Sequence, residues 1–116
     1  MEHSSQIGSR IAISPLLSET DQLHADLQRT LFDFLEFKLM KCAAYAGDVD
    51  DRLRSGNTSG AELAFRNAED AFESAQRCLL RVERDDWRQN AGVRLGHLGL
   101  TLDGLWVKLI SGRADC

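Results

Sequence analysis

From Leu16 to about Arg54 the apolar positions recur at helical spacing. Leu16, Leu23, Leu27, Leu31, Phe34, Leu35, Cys42, Tyr45, Val49 and Leu53 share one broad face of a 100°-per-residue wheel. Opposite-charge pairs fall four residues apart on the other side, Asp48 with Arg52 and Asp50 with Arg54. Ser14-Pro15 reads as a cap followed by proline at the first helical position, and Arg54-Ser55-Gly56-Asn57 reads as a stop. A first helix is therefore expected between them. Residues 1–13 are expected to form a mobile tail, with Ile7, Ile11 and Ile13 available to rest on the body.

A second helix is expected from the capping box Ser59-Gly60-Ala61-Glu62. Its stripe is Ala61, Ala64, Phe65, Ala68, Ala71, Phe72, Ala75, Leu79 and Val82, rich in alanines that let backbones approach closely. Glu62 with Arg66 and Glu73 with Arg77 are the expected exposed i,i+4 pairs. A connection of only a few residues makes antiparallel neighbours, so residues 15–84 predict a helical hairpin.

The last third supports two patterns. Asp86 to Gln89 offers another capping box, and Ala91, Leu95, Leu98, Leu102, Leu105 and Leu109 form a 3,4-spaced seam. Gly92, Gly96, Gly99 and Gly104 oppose a helix, each costing about 1 kcal/mol in a helix interior. Leu98, Leu100 and Leu102 alternate, as do Leu105, Val107 and Leu109, around an Asp103-Gly104 turn. The seam outruns the alternation and favours the helix. The expected fold is thus all-α, a three-helix bundle over residues 14–112 with a short tail at 113–116, and able to dimerise. The alternative is a helical hairpin carrying a C-terminal β-hairpin.

Composition adds limits. At 116 residues, 43% hydrophobic and 28% charged, the chain suits one globular domain. A net charge of −4 speaks against non-specific nucleic-acid binding and against anionic membranes. The first ten residues lack a signal-peptide core, and no run approaches the ~20 apolar residues of a membrane span. Cys42, Cys78 and Cys116 are odd in number and lack CxxC spacing. In the predicted hairpin Cys78 lies some ~9 Å beyond the level of Cys42, too far for a disulfide. These features predict a cytoplasmic protein without metal or cofactor.

Four groups of residues ask for more than a solvated surface. Phe37, Met40 and Ala44 lie away from the main stripe of helix one, with Phe32 and Leu39 at its far edge. One partner helix cannot cover that circumference, so either the third helix and the isoleucines cover it or it is an interface. Val93, Leu100 and Val107 form a heptad row opposite the leucine seam, which a homodimer would bury. Arg77, Arg81, Arg84 and Arg88, spaced 4, 3 and 4, make one stripe opposite the alanine-rich core face, able to grip phosphate or an acidic partner. Glu73, Glu83, Asp85 and Asp86 lie close enough to neutralise it.

Lys38 falls within the apolar face of helix one, where a lysine either snorkels or, with a neighbour such as His24 facing a cavity, performs amine chemistry. No HxxxH, HExxH, GK[ST] or nucleophile motif is present. The expected function is a protein–protein interaction module, an adaptor, regulator or chaperone-like partner, without a catalytic site. A ligand-binding or enzymatic bundle using Lys38 and His24, and a phosphate or nucleic-acid binder using the arginine stripe, are the alternatives.

Overall fold

The computed structural model describes the backbone of residues 2–115 and the side chains of residues 19–112. It contains three α-helices, α1 (Glu2–Arg54), α2 (Thr58–Leu79) and α3 (Asp85–Asp115), with no strand among the described residues. The β-hairpin alternative for the last third therefore falls. Ala91, Leu95, Leu102, Leu105 and Leu109 are all buried, and only a helical backbone places that spacing on one side. Burying a leucine is worth about 1.5–3 kcal/mol, which outweighs the ~1 kcal/mol cost of each helical glycine. None of the helices is long and apolar enough to cross a membrane, among the described residues.

The chain divides into two compact units, Met1–Thr30 and Leu31–Cys116. The first holds the N-terminal part of α1. Its helical backbone begins at Glu2, ahead of the start expected at Ser14-Pro15. Proline inside a helix removes one hydrogen bond and crowds the carbonyl four residues back, at a cost of about 3 kcal/mol. Within this unit Leu23 and Leu27 are 65% and 68% exposed, although the wheel placed them on the buried face. A unit made of one helix offers them nothing to pack against. Gln22 donates to the Asp26 carboxylate at 3.0 Å. The isoleucines at 7, 11 and 13 lie outside the residues whose side chains are described, as do the side chains of 113–116.

The second unit is a three-helix bundle. At the end of α1 the Asn57 amide donates to the Arg52 carbonyl at 2.8 Å and the Gly56 amide to the Leu53 carbonyl at 3.2 Å. Gly56 adopts φ +79, as the left-handed residue of this Schellman stop requires. The same turn supplies the cap of α2: the Asn57 side-chain oxygen accepts from the Gly60 amide at 3.0 Å. The cap thus sits two residues before the expected Ser59. Asn57 satisfies an orphan amide at the third helical position and takes over the role assigned to the serine.

The alanine stripe of α2 lies in the core, with Ala61, Ala64, Ala68, Ala71 and Ala75 all buried. One cluster joins Cys42, Ala46 and Val49 of α1 to Ala68, Leu102, Leu105 and Leu109. A second joins Leu35 and Leu39 of α1 to Ala75, Cys78, Val82, Ala91 and Leu95. Phe34, expected on the buried stripe, is half-exposed instead, and Leu39, expected at the edge, is 2% exposed. The buried arc of α1 is centred on Leu35, Leu39, Cys42, Ala46 and Val49, because α2 and α3 flank it from both sides. Between α2 and α3, Val82 plugs into the core while the Arg88 guanidinium donates to its carbonyl at 3.0 Å.

Candidate interaction surface

Two ion pairs tie α1 to α3. Arg94 meets Glu36 at 2.8 Å and Lys108 meets Asp50 at 3.1 Å. Each pair is separated by 58 residues. A constant offset means that α1 and α3 run parallel in fixed register. The pairs lie two heptads apart on each helix, from 36 to 50 and from 94 to 108, or about 21 Å along the axis. Neither pair was legible in the sequence, since a cross-helix register has no local signal.

Two adjoining grooves fill the span between the pairs. Phe37, Met40 and Ala43 face Arg94, His97 and Leu98 in the first. Ala43, Gly47 and Asp50 face Leu100, Thr101, Gly104 and Lys108 in the second. The structure therefore brings three of the five expected interface residues, Phe37, Met40 and Leu100, onto the α1–α3 side. Val93 and Val107, one heptad either side of Leu100, share its azimuth on α3. All five are open to solvent, from 44% exposed for Phe37 to 72% for Leu100. Within the second unit α3 leaves Phe37 and Met40 uncovered; the isoleucines that were to share in covering them lie outside the residues whose side chains are described.

The small residues here were not picked out in the sequence as part of a surface. Gly47 and Gly104 line the second groove, and a Cβ on either would meet no atom within 4 Å. Both sit inside helices, where glycine is costly, and the surrounding chain gives no steric reason for them. Asp50 has its carboxyl held below the usual carboxylate range, first by the hydrogen bond from Lys108 and then by the charge of Arg54. Arg54 also binds it at 2.8 Å, so this end of the face is a three-residue charge cluster. Asp48 pairs with Arg52 at 3.1 Å as expected.

The arginine stripe is broken. Helix α2 ends at Leu79, so Arg81 and Arg84 lie on the connection and Arg88 belongs to α3. Arg77 donates to the Ser74 hydroxyl at 3.5 Å and shares a shallow groove with Arg81 and Phe34. Arg84 pairs with Asp86 at 2.7 Å and lies 4.7 Å over the Trp87 ring, which itself stacks on Phe32. Arg88 caps Val82. The stripe required one continuous helix through residue 88, and the chain turns within it. Lys38 places its ammonium 5.3 Å over the Phe34 ring. No groove described here is lined by Lys38 or His24, and His24 is exposed in the first unit.

Cys42 and Cys78 are buried and free, which agrees with their expected role as small apolar fillers. Burial raises the pKa of both thiols; at Cys78 the charges of Arg81, Lys38 and Arg77 partly oppose that rise. Cys116 lies outside the described residues. Among the described residues no three histidine, cysteine or carboxylate side chains converge on a metal position. No protein family model, curated protein or solved structure matches this chain.

Proposed function

We propose that the chain is a helical protein–protein interaction module whose α1–α3 face pairs with a second copy of itself. The observation that carries this reading is the exposure of Phe37, Met40, Val93, Leu100 and Val107 together, around helix-interior glycines that nothing fills. Large apolar side chains exposed in this number on one side of a small bundle mark an interaction surface.

The face is also suited to a twofold partner. Its Glu36 end is bulky, with Phe37, Met40 and His97, and its Asp50 end is small, with Gly47 and Gly104. A twofold axis across the middle sets the bulky half of one copy against the hollow half of the other. The two ion pairs neutralise their own charges, so this contact leaves Glu36, Arg94, Asp50 and Lys108 compensated. The buried free thiols of Cys42 and Cys78 fit a reducing, cytoplasmic setting for such an adaptor, regulator or chaperone-like module. The reading includes no catalytic step.

Light scattering behind a sizing column, over a hundredfold range of concentration, tests it. The expected result is a mass near twice 13.0 kDa that falls to the monomer on dilution. Leu100→Glu, which places a charge at the most exposed apolar position of the face, should yield monomer throughout. A monomer at every concentration for the native chain would overturn the homodimer.

A further inference from the structure

A second surface, independent of the α1–α3 face, lies between α2 and α3. Its floor is aromatic, made of Phe65, Phe72 and Trp106. The rings of Phe65 and Trp106 stand 5.7 Å apart at 33°, and Trp106 remains 45% exposed. Phe72 reaches α3 because residue 99 is glycine: a Cβ there would stand 3.3 Å from its ring. The rim is acidic, with Glu69 and Glu73 one turn apart on α2 and Asp103 across from them on α3.

Among the described residues none of these three carboxylates forms a hydrogen bond or ion pair. The expected Glu73–Arg77 pair is absent because Arg77 turns to Ser74. The floor and the rim thus favour the same ligand chemistry. Ring faces carry negative quadrupole and attract cations, and three carboxylates around them add full charges of the same sign.

The groove does not end at the acidic rim. Glu73, Gln76 and Arg77 also border an adjoining hollow formed by Leu79, Leu80 and Leu95, and Leu80 is 80% exposed. Arg77, which donates to Ser74, is the one cation among the described residues lining this stretch, so a ligand's own cations belong at the Glu69–Asp103 end. From Phe65 to Leu80 the surface spans about 22 Å of helix axis. A small ammonium ion would engage one ring and a carboxylate or two, leaving the leucine end bare. A peptide bearing both cations and apolar side chains fills the whole length.

We propose that the α2–α3 groove docks a lysine- or arginine-bearing amphipathic segment of a protein partner. Its cations lie over Trp106 and between Glu69, Glu73 and Asp103, and its apolar residues lie on Leu79, Leu80 and Leu95. The full-length chain with Trp87→Phe leaves Trp106 as the sole tryptophan reporter. Into it one titrates a blocked peptide of lysine, leucine and alanine, about sixteen residues long to match the groove. The expected result is a saturable change in Trp106 emission, weakened about tenfold or more by combined Glu69→Gln, Glu73→Gln and Asp103→Asn. The same peptide should lose affinity steeply between 0.05 and 0.5 M salt, since exposed charge pairs are screened over that range.

Circular dichroism on the triple variant checks that its helices persist; the changes are isosteric and at exposed positions. Calorimetry with Trp106→Leu, which needs no fluorophore, should show the same weakening. Absence of saturable binding, equal binding of a peptide with glutamate in place of lysine, or undiminished binding by the triple variant would each overturn the proposal. Tetramethylammonium binding as tightly as the peptide would also overturn it, replacing a docking groove with a small-cation site.

Discussion

Gly47 and Gly104 make opposite demands on the monomer and on its assembly, and that opposition can be measured. In the isolated bundle a methyl group at either position meets nothing within 4 Å. Replacing a helix-interior glycine with alanine should then stabilise the fold by about 0.8–1 kcal/mol, through backbone entropy alone. Gly47→Ala with Gly104→Ala should give up to about 2 kcal/mol, less any coupling across the groove that both line. For a domain of this size that raises the melting temperature by up to roughly 8 °C, at ~4 °C per kcal/mol. The assay is thermal unfolding by circular dichroism at a concentration where light scattering gives the monomer mass.

Gly99→Ala serves as the internal control. Its Cβ would press on Phe72 at 3.3 Å, so the entropy gain meets a steric cost and the net change should be near zero or destabilising. In the proposed dimer the two new methyls of the double variant fill the hollow that receives the bulky half of the other copy. The dissociation constant should rise even as the monomer becomes more stable. A double variant no more stable than the native monomer would refute the account of the glycines as open positions. A more stable monomer with an unchanged dimer would keep that account and move the interface elsewhere.

Three further outcomes test other parts of the structure. Ala68 is fully buried where α1, α2 and α3 meet, so Ala68→Leu should destabilise by about 1–3 kcal/mol in urea unfolding; a change under ~0.5 kcal/mol would mean that the core is loosely packed there. In a Cys116→Ser background the buried thiols of Cys42 and Cys78 should react with a disulfide reagent far more slowly at pH 8 than in urea. Their raised folded pKa values give stability that is full below the unfolded value and is lost as pH rises through the folded ones; labelling as fast as in the unfolded chain would contradict this. The depressed pKa of Asp50 carries the reverse sign: its contribution is present above the ordinary carboxylate value and is lost as pH falls through the folded one. Lys108→Met should move the NMR titration of Asp50 back toward that ordinary value, and an unmoved midpoint would remove the hydrogen bond as its main cause.

What the sequence made legible was periodicity, and periodicity is a property of one helix at a time. The alanine stripe of α2 and the leucine seam of α3 were read nearly residue by residue because each lies in a helix packed over most of its length. The glycines that seemed to argue for a β-hairpin weigh less than the buried leucines that alternate with them along α3. The stop at Arg54 to Asn57 was also local, since a left-handed glycine and its two hydrogen bonds need only adjacent residues. The arginine stripe failed because its spacing assumed an unbroken helix, whereas Val82 enters the core and turns the chain.

Errors on α1 have a different origin. A wheel shows which residues could share a face and says nothing about how far along the helix that face is covered. Leu23 and Leu27 continue the apolar stripe in the first unit, yet both are exposed there. Partner choice is equally invisible: that Glu36 meets Arg94 and Asp50 meets Lys108 depends on an offset of 58 residues fixed by the packing of all three helices. The same offset sets Met40 beside His97 and Gly47 near Gly104, and so gives the proposed face its bulky and hollow halves. Pattern alone could mark Phe37, Met40, Val93, Leu100 and Val107 as apolar positions in excess of one core. Only the register joins those on α1 to those on α3, and that joined surface, with its open glycines, is what the dimer proposal rests on.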